Sequence, residues 1–281
     1  MVDWRHWHNE PYLVGGLILL GWLYALATGP LRHRLGGPLA FSTRRASAFY
    51  GSLLIFYLAV GSPLDQIGER FLLSAHMLQH LLLVYPAAAL FLLGVPSWLF
   101  ERRGKCGMWL PPPKAVTSPL VCALVFVLTV TVWHAPALYE RALQDKVVHV
   151  WEHLTFFGAA LFFWWPLLSP LPSRPPISPP AQILYLLGVI IGMTPLFAFI
   201  VFSPEVIYAT YEFAPRIVPS FDATADQLLA GVGMKLAGMA VALLMMSVAF
   251  RRWYQAEGIP AEPADRRSGR IRQPERPRAT G

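Results

Sequence analysis

The sequence predicts an all-α polytopic membrane protein: a bundle of seven transmembrane helices, N-terminus outside and C-terminus cytoplasmic. Three observations predict it. Of the 281 residues, 55% are hydrophobic and 14% charged, against about 25% charged in soluble domains. The apolar residues fall in long runs divided by short breaker-rich stretches such as "TGP", "GSP", "GVP", "PPPK", "HAP" and "SPLPSRPPISPP". Finally, Lys and Arg are distributed unequally between alternate loops, which sets the orientation.

The runs place helices over about 11–28, 46–61, 71–94, 117–134, 147–168, 181–202 and 225–250. Each is near the roughly 20 residues that cross a hydrocarbon core of about 30 Å. The opening "MVDWRHWHNE" lacks the basic-then-apolar order of a signal peptide, so the first run is expected to remain as a helix. The second run is short and is expected to tilt or extend. Pro195 in the sixth is expected to kink it. Lys235, in the middle of the seventh, requires a partner or a wet cavity. Residues 1–10 form an outer N-terminus, 11–250 the transmembrane domain, and 251–281 a disordered basic cytoplasmic tail.

Five cations lie on one side: Arg5, Arg70, Arg141, Lys146 and Arg216. The other side holds Arg32, Arg34, Arg44, Arg45, Arg102, Arg103, Lys105, Lys114, Arg174 and the arginines after residue 250. The net charge of +7 arises largely from the tail "RRSGRIRQPERPRATG". Beside a membrane helix this is an anchor for anionic lipid, so no nucleic-acid partner is expected. Cys106 and Cys122 give neither a disulfide framework nor a CxxC metal motif.

The histidines follow the same map without having been used to draw it. His76 and His80 open the third span, His134 closes the fourth, and His149 and His153 open the fifth, all at the outer side. His6 and His8 lie in the outer N-terminus; His33 alone faces the cytoplasm. "HMLQHL" (76–81) and "HVWEHL" (149–154) share the pattern His-x-x-[Gln/Glu]-His-Leu at an offset of 73, and Pro63 and Pro136 repeat it upstream. Spans 2–3 and 4–5 thus read as two copies of one helical hairpin, their histidine pairs at equal depth. Adding 73 again lands on Asp222 and Asp226, weaker candidates at the start of the seventh span.

Residues i and i+4 share a helix face, with Cβ atoms about 5–6 Å apart, so two imidazoles can reach one metal at about 2 Å. Histidines in a membrane interior otherwise hydrogen-bond neighbouring helices or reach for headgroups. Gln79 and Glu152, each preceding a second histidine, are possible acceptors that fix an imidazole tautomer. Imidazole suits copper, zinc and iron alike. Met77 beside the first pair and Met234 in the seventh span are the thioethers nearest the outer side. Haem b held between the third and fifth spans is the competing ligand.

"HMLQHLLL", "WHAPALYE" and "HVWEHLTFF" resemble the multi-pass CtaG family over about residues 10–250. The resemblance implies a bacterial inner-membrane protein that assembles haem–copper cytochrome c oxidase of the caa type. Its partner would be an oxidase subunit within the lipid bilayer. It implies copper as cargo at His76, His80, His149 and His153, with His134 a weaker candidate. The expected action is ligand exchange without bond-making catalysis. The alternatives are a haem b electron carrier, a copper permease, for which ligands thin out toward His33 and Cys106, and a scaffold with structural histidines.

Overall fold

The computed structural model of the protein describes residues 5, 7, 9–35, 37–38, 42–99 and 113–258. His6, His8, the cations Arg102, Arg103 and Lys105, Cys106 and the tail beyond 258 lie outside the described residues. Among the described residues ten α-helices follow in order: α1 (Pro11–Thr28), α2 (Thr43–Gly61), α3 (Pro63–Arg70), α4 (Leu73–Gly94), α5 (Pro119–Trp133), α6 (Pro136–Gln144), α7 (Lys146–Leu168), α8 (Pro179–Phe202), α9 (Ala209–Glu212) and α10 (Ala223–Glu257), with a short 3-10 turn at Ser97–Leu99 after α4. Among the described residues there is no strand.

Among the described residues five helices, α1, α4, α7, α8 and α10, are long and apolar enough to cross a membrane, or up to seven spans if each bent pair, α2–α3 (44°) and α5–α6 (71°), is one. The bends correct the expectation of plain loops after the second and fourth runs. A proline strains a helix interior but starts a helix well, because its missing N–H is one the first turn leaves unused. Pro63 and Pro136 each occupy that position, and the Ser62 hydroxyl caps α3 by accepting from the Leu64 amide at 3.3 Å.

The 73-residue repeat is a repeat of structure. Pro63 and Pro136 begin the short helices, and Leu73 and Lys146, also 73 apart, begin the long ones. The helix α10 continues beyond residue 250 to Glu257, which corrects the expected start of the disordered tail. "RRWYQAE" is rich in helix formers, and the Trp253 indole donates to the Glu257 carboxylate one turn on, at 2.5 Å.

The centre of the bundle is α4. The helix α10 packs on α8 and on its first half, α2 on its second half, and α7 along it and against α5. Midway, Pro86 offers no amide hydrogen, and α4 changes to π geometry over Leu83–Ala87. Neighbours take up carbonyls there: the Trp164 indole donates to Val84 O at 2.9 Å and the Ser52 hydroxyl to Ala87 O at 2.8 Å. Pro195 lies within α8 without ending it.

The core is apolar, including Phe126, Phe163, Trp164, Leu186 and Ile200. The outward faces are apolar too: Leu184 and Ile191 on α8 are each 70% exposed. A continuous apolar exterior belongs against hydrocarbon rather than water. The first helix is set apart: of its 18 residues only Gly21, Tyr24, Ala27 and Thr28 are buried. Tyr24 on it stacks on Phe49 at 3.8 Å and donates to Gly94 O at 3.0 Å.

Candidate metal centre

The site is built on the first turns of α4 and α7. Leu73 and Ser74, whose amides lack partners within α4, donate to Asp226 of α10 at 2.6 and 3.1 Å. This cap fixes the depth at which His76 enters the bundle. The first turn of α7 is capped by Asp145, which accepts from the amides of Val147 and Val148 at 3.0 and 3.4 Å. The helix α3 presses on α4 at Gly68, where a Cβ would lie 2.9 Å from the His76 Cα and against the Gln79 side-chain oxygen.

So held, the histidine pairs face one another. Nε2 of His76 lies 3.0 Å from Nε2 of His80. Opposite, the Glu152 carboxylate places one oxygen 3.8 Å from His76 Nε2 and the other 3.6 Å from His80 Nε2. The His149 ring centre is 4.3 Å from that of His153 and 5.4 Å from that of His76. His76, His149, Glu152 and His153 offer ligand atoms that all lie within 4.8 Å of one another. Each of these residues is at most 6% exposed.

Six buried atoms here have no hydrogen-bond partner: Nδ1 of His76 and of His80, Nε2 of His149 and of His153, and both Glu152 carboxylate oxygens. A buried polar atom left unpaired costs about 1–3 kcal/mol, so such a concentration calls for an occupant. Imidazoles and a carboxylate so grouped are a donor set that a borderline or soft metal ion would accept. Glu69 completes it from α3: its carboxylate accepts from His149 Nδ1 at 2.7 Å, which leaves the His149 Nε2 lone pair toward the group. Asp65, Glu69 and His149 form a second convergence around the same ring.

The model of the cytochrome c oxidase caa3 assembly factor family (Caa3_CtaG) matches residues 22–256, most of the chain. The chain belongs to that family. No curated protein and no solved structure matches it.

In this assembly factor the sequence-predicted residues divide. His76, His80, His149 and His153 come together. His134, at the end of α5, stands beside them, its ring centre 6.1 Å from that of His80. Asp222 and Asp226 do not join the group. Asp222 caps its own helix, accepting from the Ala225 amide at 2.7 Å, and both Asp226 oxygens are taken by α4. Orphan amides at helix starts, absent from any spacing pattern, claimed these carboxylates.

Gln79 and Glu152 occupy equivalent repeat positions yet differ. Gln79 turns away, donating to Ala59 O at 2.9 Å and to Asp65 at 2.7 Å. Glu152 reaches across to the histidines of the other helix. The expected partner for Lys235 is a hydroxyl and a ring: its ammonium donates to Thr194 at 2.9 Å and lies 5.4 Å from the Phe197 ring centre.

Sequence reasoning missed Asp65, Glu69 and a buried tyrosine set. Tyr139 stacks on Tyr208 at 4.0 Å and meets the Tyr211 hydroxyl at 3.1 Å. Tyr211 donates to Gly68 O at 2.7 Å and Tyr208 to His134 O at 2.9 Å. Burial pushes the Tyr208 and Tyr211 phenols up, so both remain neutral donors that tie α3 and α5 to the loop before α10.

A cavity of about 320 Å³ lies between α1, α2 and α7. Leu13, Leu17, Phe56 and Phe157 line it; His149 and His153 reach it from the site, and Glu10 and Lys146 pair at its edge.

Proposed function

We propose that this oxidase assembly factor binds copper at His76, His80, His149, Glu152 and His153 and delivers it to an apo-oxidase subunit within a bacterial inner membrane. The observation that carries this reading is the set of buried, unpartnered ligand atoms converging from α4 and α7. Each bent pair then counts as one span, the chain crosses seven times, and the site lies on the cation-poor outer side. Transfer is ligand exchange: imidazoles hold the ion, and a docked subunit takes it by offering competing ligands.

Haem b, the other ligand the sequence allows, asks for two imidazoles facing across a flat ring. Ligand atoms within 4.8 Å of one another surround a point instead, which favours a bare ion.

The test uses detergent-purified protein: an absorption spectrum from about 350 to 700 nm, then metal content after loading with Cu(I). A colourless chain that takes up copper, and a His76→Ala, His149→Ala double variant that does not, is the expected outcome. A Soret band lost in that variant makes the site a haem site. If wild type binds neither, the histidines are structural.

A further inference from the structure

Beside the proposed copper group lies a pair of atoms that ordinary hydrogen bonding does not explain. Nδ1 of His134 is 2.7 Å from Val130 O. A carbonyl oxygen only accepts, so Nδ1 carries the proton and, in the neutral ring, Nε2 carries a lone pair. That lone pair faces the Met77 sulfur at 3.4 Å. A thioether has no hydrogen to donate. Two acceptors therefore face each other where His134 is 2% and Met77 1% exposed. A second proton on His134 would relieve the contact only by burying a charge, at high cost.

A soft cation relieves it directly. With metal–nitrogen and metal–sulfur bonds of about 2.0 and 2.3 Å, a separation of 3.4 Å corresponds to a bond angle of roughly 105°, near the tetrahedral value. A cavity of about 30 Å³ adjoins His134 of the pair, lined also by His80, Met193 and Met234 among others. It has room for a single small occupant. Thioether ligands select Cu(I) over Zn(II), which imidazole and carboxylate accept readily.

We infer that His134 and Met77 form a second, sulfur-containing station specific for Cu(I), with His80 as the side chain positioned to complete it. The inference rests on the copper reading of the first group and deepens it. His80 contacts both stations: its Nε2 faces His76, and its ring stands beside His134. An ion moving from the imidazole–carboxylate group to the thioether station would pass by way of His80, the side chain that touches both.

The experiment is X-ray absorption on the full chain, purified in detergent and loaded anaerobically with Cu(I). A sulfur neighbour of copper is expected in wild type and absent in Met77→Leu, a substitution close in volume. That variant should lose Cu(I) affinity by at least the roughly 10–100-fold that removal of an outer-shell partner costs, with Zn(II) binding unchanged. A wild-type selenomethionine chain gives a mutation-free reading: the selenium edge should show copper at bonding distance. A nitrogen- and oxygen-only shell in wild type, or a sulfur signal that survives Met77→Leu, overturns the thioether station and leaves the histidine group standing. A wild-type chain that binds no copper overturns both.

Discussion

The two copies of the hairpin, α2–α4 and α5–α7, share a 73-residue spacing, a helix-starting proline and an i,i+4 histidine pair; all three residues between the histidines differ, and the polar one is Gln79 in the first copy and Glu152 in the second. Gln79 faces its own hairpin and clamps α3 and α2 to α4. Glu152 faces the opposite hairpin and leaves both oxygens unpaired among imidazoles. The shared features set ligand geometry; the divergent one divides labour. One copy spends its polar side chain on rigidity, and the other contributes charge.

The sharpest way to break this comparison is to make the copies alike. Glu152→Gln keeps the shape and removes the charge. It should weaken metal binding by about 10–100-fold, measured by chelator competition, with little change in helicity. An unaltered affinity would mean that the carboxylate is a bystander. A smaller effect tests the framing copy. Gly68→Ala sets a methyl 2.9 Å from the His76 Cα; its repeat partner, Arg141, already carries a full side chain. The cost should be about 1–3 kcal/mol of overpacking, read as a lower unfolding temperature in detergent. The smallest test concerns the third copy that the spacing suggested. Asp222→Ala should cost about 1 kcal/mol of helix capping and leave metal stoichiometry unchanged. Loss of metal would return Asp222 to the ligand set.

Much of the fold and half of the site were legible because they follow from local rules. Apolar length gave the long helices, and the histidine spacing gave the two faces that meet. The rest depends on distant partners. "PLDQIGER" reads as a polar loop, so neither α3 nor the Glu69 it presents to His149 stood out. Asp226 was drawn into the site by arithmetic, whereas its role is set by two amides more than 150 positions away. The contact of His134 with Met77 joins residues 57 apart. No periodicity encodes such a meeting, since it exists only once α4 and α5 have packed.

The cavity beneath α1 gives the proposed metal centre an uneven electrical surrounding. Toward the bundle, His149 meets the Glu69 carboxylate and His153 faces the rings of His76 and His80, groups that can answer a change in charge. Toward α1 they look onto leucine and phenylalanine, and in a bilayer onto hydrocarbon that polarises little. Any charge at the centre is therefore screened weakly on that side, and Coulomb interactions across it are several times stronger than in water.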